Sequence, residues 1–140
     1  MRFHLIEPEV AGGHGPGTVY DWSTVPATVT KLEYEFADWL GDALLESTPC
    51  FVVTAEVAGQ IARMGLSGAT FDDVIVSISP EGEELMDAEL PAWRWLKPTG
   101  KPGESDFGVN DALSLVVSDR ALAVLADAGI RNADVTEWRA

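Results

Sequence analysis

Apolar and polar residues alternate most regularly at Leu32, Tyr34 and Phe36, which interleave with Lys31, Glu33 and Glu35. A period of two belongs to a strand with one buried face, so this segment predicts a strand with its acids on the wet side. Residues 2–6 alternate more weakly and predict a second short strand. Two further segments, 51–74 and 115–138, align without a gap at an offset of 64 residues (51 against 115). Val52, Val53, Ala62, Gly65 and Ala69 meet Val116, Val117, Ala126, Gly129 and Ala133. In each copy the two valines predict a buried strand. Thr54 or Ser118 then offers a hydroxyl to the free N–H groups of a helix start. The stripes Val57, Ala58, Ile61, Ala62 and Ala121, Leu122, Leu125, Ala126 predict helices with one apolar face. Gly65 or Gly129 ends the helix, and a second strand begins near Phe71 or Val135. The chain is therefore expected to form one α+β domain over residues 1–140. Its expected architecture is a mixed sheet with two helices from a repeated strand–helix–strand unit.

The remaining segments carry weaker signals. Ala11 to Gly17 holds four Gly and one Pro, which predicts a loop. Residues 18–30 contain Pro26 and several Thr and predict an irregular or edge segment. Over residues 38–48, Trp39, Leu40, Ala43 and Leu44 stand at helical spacing, while Gly41 opposes a helix. Residues 97–105, with two Pro and two Gly, predict an exposed loop.

Charge changes the picture more than composition does. The chain of 140 residues has nine Lys and Arg against 23 Asp and Glu, a net charge of −14. That balance opposes nucleic-acid binding and docking on an anionic membrane surface, and favours either a basic partner or none, the acids then serving solubility alone. No run approaches the ~20 apolar residues of a membrane-spanning helix. The N-terminal apolar run is too short for a signal-peptide core, so a cytoplasmic location is expected. From Met64 to Trp93 there is no Lys or Arg. The acids of that stretch, Asp72, Asp73, Glu81, Glu83, Glu84, Asp87 and Glu89, are the candidate contacts to a basic protein partner. Trp93 and Trp95, on one face of an extended segment, are the candidate aromatic anchors beside them, or else cover the core edge in a cluster with Leu90, Leu96 and Phe107.

Candidate reaction chemistry is thin. Cys50 is the one cysteine, and at the head of an apolar strand it reads as a small core residue rather than a nucleophile. His4, His14 and Cys50 show no metal-ligand spacing. Thr54 and Ser118 are explained by helix capping, and neither repeat contains a His to complete a triad. Glu33 and Glu35 share a strand face at roughly 7 Å, a spacing that suits paired carboxylates and equally suits a solvated face. The Gly12–Gly17 run offers backbone N–H groups to an anion but matches neither the phosphate-loop nor the dinucleotide pattern. The residues thus assign no catalytic group, no metal and no cofactor. Two readings besides a protein-binding one stay open. One is a small-ligand module with Trp93, Trp95 and the Gly12–Gly17 loop lining a pocket. The other is an enzyme using Glu33 and Glu35, or Cys50.

Four strings carry a resemblance: Trp39-Leu40-Gly41-Asp42, Pro49-Cys50-Phe51-Val52-Val53-Thr54, Gly65-Leu66-Ser67-Gly68-Ala69, and Leu115-Val116-Val117-Ser118-Asp119-Arg120-Ala121-Leu122. The chain resembles immunity proteins of bacterial polymorphic toxin systems, including the double-Cys-x-x-Cys-Gly group. It departs from that group in having only Cys50, and so lacks the residues of a zinc knuckle. No site residue carries over. The resemblance implies a protein that binds and occludes a cognate toxin, here a basic one.

Overall fold

A computed structural model describes residues 2–86 and 89–139. In chain order the elements are β1 (Phe3–Glu7), β2 (Gly12–His14), β3 (Val19–Asp21), β4 (Thr28–Lys31), β5 (Glu33–Phe36), β6 (Leu44–Ser47), β7 (Cys50–Thr54), α1 (Ala55–Arg63), β8 (Ala69–Asp72), β9 (Ile75–Ile78), α2 (Pro80–Leu85), β10 (Trp93–Pro98), β11 (Phe107–Val109), β12 (Leu115–Ser118), α3 (Asp119–Ala128) and β13 (Asp134–Trp138). This is an α+β fold. No described helix is long and apolar enough to cross a membrane.

The repeated unit forms twice. β7–α1–β8 and β12–α3–β13 occupy matching positions of the two copies. The Thr54 hydroxyl accepts the Val57 N–H at 3.3 Å, and the Ser118 hydroxyl accepts the Ala121 N–H at 3.2 Å. These caps satisfy donors that a helix start otherwise leaves orphaned. Gly65 and Gly129, both at positive φ, turn the chain out of the helices. The apolar stripes bury Val57, Ala58 and Ile61 in one helix and Ala121, Val124 and Leu125 in the other. Ala62 and Ala126 are exposed, so the stripe is narrower than the sequence predicts.

The strands do not form one mixed sheet. Two four-stranded sheets run β6-β7-β10-β8 and β11-β12-β1-β13, with every neighbour antiparallel. Only the three-stranded sheet β2-β5-β9 mixes directions, and β3-β4 is a separate hairpin. In both larger sheets the strand–helix–strand unit leaves a gap of one strand, which an antiparallel strand fills. The register is the same in each. Trp93 faces Thr54 and Trp95 faces Asp72; Phe3 faces Ser118 and Leu5 faces Thr136. Even the lead-in matches: Ala55 N–H donates to the Ala92 carbonyl, and Asp119 N–H to the Arg2 carbonyl. The place of β10 in the first half is taken in the second half by β1, from the other end of the sequence. Strand order of this kind leaves no trace in local periodicity.

The halves also exchange contacts. The offset of 64 also sets Asp42 against Asp106, although the pairing there differs by one residue, the Thr54 N–H donating to Ala43 and the Ser118 N–H to Asp106. Asp42 accepts from the backbone N–H (2.8 Å) and side-chain amide (2.9 Å) of Asn132, in the turn after α3. Asp106 accepts from the N–H (2.8 Å) and hydroxyl (3.2 Å) of Ser67, in the turn after α1. Each half therefore holds the other's helix–strand turn with a buried carboxylate. One apolar core, including Phe51, Val53, Ile61, Leu96, Phe107, Val117 and Leu125, spans both halves. A second, aromatic core gathers Leu32, Tyr34, Phe36, Trp93 and Trp95.

Candidate functional site

The acids of the base-free stretch divide into two kinds. Asp72 and Asp73 follow one another at the end of β8, beside β10, which carries two bases. Lys97 Nζ donates to Asp72 at 3.0 Å, and Arg94 pairs with Asp73. The Lys97 hydrogen bond, aided by the Asp73 N–H, holds the Asp72 carboxyl below its ordinary value. These two carboxylates thus have ion-pair partners within the molecule while both remain exposed at its surface. Glu81, Glu83, Glu84 and Glu89 are exposed and make no ion pair with a described residue. Glu81 and Glu83 lie in the first turn of α2, where Pro80 starts the helix and the Ser79 hydroxyl accepts the Gly82 N–H. Carboxylates there are favoured by the orphan N–H groups. Asp87 lies outside the described residues.

The aromatic anchors require correction. Trp93 and Trp95 do share a face of β10, but that face meets the second core and leaves them 6% and 5% exposed. Trp93 packs on Phe36 and, edge-on, on Trp39, with ring centroids 5.5 and 5.6 Å apart. Lys97 Nζ sits 4.1 Å from the centre of the Trp95 ring and covers it. Neither indole is available to a partner, because the aromatic core needs both. The exposed indole is Trp22, at 76%, on the β3–β4 turn.

The wet-face reading of Glu33 is overturned as well. Its Oε1 accepts the Gly17 N–H at 2.9 Å and its Oε2 the Ser77 hydroxyl at 2.7 Å. A Cβ on Gly15 would lie 2.2 Å from that Oε2, and one on Gly17 2.5 Å from Oε1. The glycine run does cradle an anion, but the anion is the chain's own Glu33. Part of the run, Gly12–His14, is itself a strand paired with β5. Cys50 is buried, as its sequence setting predicts, and burial pushes its thiol up to about 12. A thiol so protonated is a poor nucleophile. His14 Nε2 lies 3.0 Å from the Ser47 carbonyl, which can only accept. In the neutral ring Nδ1 is then the acceptor for the Tyr20 hydroxyl, 2.7 Å away.

The expected small-ligand pocket is not assembled either. Trp95 lines a cavity of about 560 Å³ with Pro26, Cys50, Lys97 and Leu113, but neither Trp93 nor the glycine run takes part. A cavity of about 510 Å³ lies instead where the start of α1 meets the end of α3. Trp39, Thr54, Glu56, Gln60 and Asp127 contribute to it, and no Lys or Arg lines it. Trp39 is fixed there, its Nε1–H donating to the Asp42 carbonyl at 2.9 Å. The turn at 40–42 is held in turn by Glu9, which accepts the N–H groups of Leu40 (2.7 Å) and Asp42 (3.2 Å). Sequence reasoning missed this site because its members sit in four separate segments. The one local signal was the ambiguous Trp39–Asp42 string.

Comparison with protein families finds no match, and comparison with curated proteins finds no significant one.

Proposed function

We propose that this chain is an acidic binding protein that covers a basic protein partner, as the resemblance to toxin-immunity proteins implies, and that it acts in the cytoplasm. The observation that carries the reading is how the charge is distributed. The net charge is −14, and five of the nine Lys and Arg are already engaged by carboxylates of the same chain. The exposed carboxylates of Glu81, Glu83, Glu84 and Glu89 have no such partner among the described residues. A surface of this kind attracts a cationic protein at long range, speeds its encounter and fixes its orientation. Occlusion needs no catalytic group of the chain. The test is affinity for the protein encoded beside it, measured at about 50 mM and about 500 mM salt. The reading expects binding that weakens at least about tenfold at the higher salt, as screening of exposed charges demands. Binding indifferent to salt, or none, rejects it.

A further inference from the structure

The start of α1, which lines the cavity, has an internal counterpart in the start of α3. The offset that superimposes the two halves carries Thr54 onto Ser118 and Glu56 onto Arg120. In the second half Arg120 turns its guanidinium onto the buried Asp106, Nη2 to Oδ2 at 3.0 Å. In the first half the same helix position carries a carboxylate. Asp42, aligned with Asp106 by the offset, takes Asn132 and lies outside the cavity lining, and the backbone contact that Asp106 makes to the cap residue is made here by Ala43. The first half thus presents a carboxylate, Glu56, at the helix position where the second half presents a guanidinium. The cavity beside Glu56, about 510 Å³, falls in the size range of small organic ligand sites.

Its electrostatics fit a cationic guest. The N-terminal end of α1 and the C-terminal end of α3 bring opposite partial charges, which offset one another. The side chains then set the sign: Glu56 and Asp127 are carboxylates on two different helices, and both line the cavity. Arg131 lines the neighbouring cavity rather than this one. The indole of Trp39 is held by its bond to the Asp42 carbonyl and by edge-on packing against Trp93. An immobilised indole beside carboxylates suits a planar guanidinium better than a compact ammonium, because the flat ion both stacks and donates in a fork. Gln60 adds an amide able to accept a further N–H.

We propose that this cavity binds an alkylguanidinium group through Glu56, Asp127 and Trp39. Resting on the reading above, the group is an arginine side chain presented by the basic protein partner.

The test uses the full chain, isotopically labelled, with two probes: butylguanidinium and N-acetyl-arginine amide. Both are expected to shift the Trp39 indole N–H and the amides near Thr54 and Gln60 in a saturable way. Glu56→Gln should weaken binding about threefold to fivefold, the effect of one exposed charge pair. Glu56→Arg should abolish it, since it puts a cation where the proposal needs a carboxylate. Asp111→Asn, outside the cavity lining, should leave it unchanged. Shifts that stay linear with concentration, or that persist in both Glu56 variants, overturn the site. Binding of butylguanidinium without the capped arginine overturns its assignment to a protein side chain. If a basic partner binds in a salt-sensitive way while both probes fail, this site falls and the broader reading stands. If the probes bind and no basic protein does, the broader reading falls alone.

Discussion

Asp42 and Asn132, 90 positions apart, are joined by two hydrogen bonds, from the Asn132 backbone N–H and from its side-chain amide. Asp42 is 2% exposed, so both donors are satisfied away from water. Removing the carboxylate leaves them bare, at roughly 1–3 kcal/mol each. Asp42→Ala should therefore lower the urea midpoint strongly with little change in slope. Asn132→Ala should cost clearly less. Equal effects, or no effect from Asp42→Ala, would show that this contact does not hold the halves together.

The matching carboxylate sets the acid limit. Burial raises the pKa of Asp106, but hydrogen bonds from the Ser118 hydroxyl, the Ser67 N–H and Arg120 outweigh it and bring the carboxyl to about 2. A carboxyl more acidic in the folded than in the unfolded state adds stability above its unfolded value and loses it as pH falls through the folded one. The shift from 3.8 to about 2 corresponds to about 2 kcal/mol. Stability should fall between about pH 4 and about pH 2, and Asp106→Asn should flatten that limb. Glu9 works in the opposite direction, since burial raises its carboxyl. Its contribution is greatest at low pH and is lost as pH rises through the folded value. An Asp106→Asn curve as steep as the parent's below pH 4 argues against the assignment.

Gly15 is held to hydrogen by the Glu33 carboxylate. Gly15→Ala places a methyl 2.2 Å from Oε2 and should destabilise by about 1–3 kcal/mol. Glu33→Ala in that background should recover part of the loss, the coupling expected of residues in contact. Additive costs in the double variant would show that the glycine is needed for another reason.

The Cys50 thiol, buried and pushed up to about 12, should resist disulfide reagents at neutral pH in the native protein. In denaturant it should react at the rate of an ordinary thiol. Fast native labelling would reveal an opening that exposes β7.

Exposed carboxylates act mainly on encounter. Replacing Glu81, Glu83 and Glu84 by Gln together should slow association with a basic partner, change dissociation little and leave thermal stability within about 1 kcal/mol. A change confined to dissociation would place these residues inside a desolvated contact rather than at its edge.

The residue pattern reveals what is local. Val52–Thr54 and Val116–Ser118 announce strand and cap because each job is done within a few positions, and both caps form. The period of two correctly sets Trp93 and Trp95 on one face, but it says nothing of what covers that face. Glu33 fails for the same reason: alternation assigns a side, and a glycine loop from another segment then closes over it. The match of Asp42 with Asp106 is present in the sequence, yet its meaning depends on turns 90 and 39 positions away. The insertion of β1 between β12 and β13 is a pairing across nearly the whole chain, beyond any local pattern.

That insertion orders the way the protein comes into being. As the polypeptide is synthesised, every strand of the first large sheet has emerged once Pro98 has appeared. Its twin cannot close so early. The five residues beginning at Phe3 precede both of their neighbours in the chain, so both edges stay bare until Leu115–Ser118 arrives and one edge until the strand ending at Trp138 does. Until then the growing polypeptide carries a β segment with an unsheltered side, which Asp134–Trp138 closes.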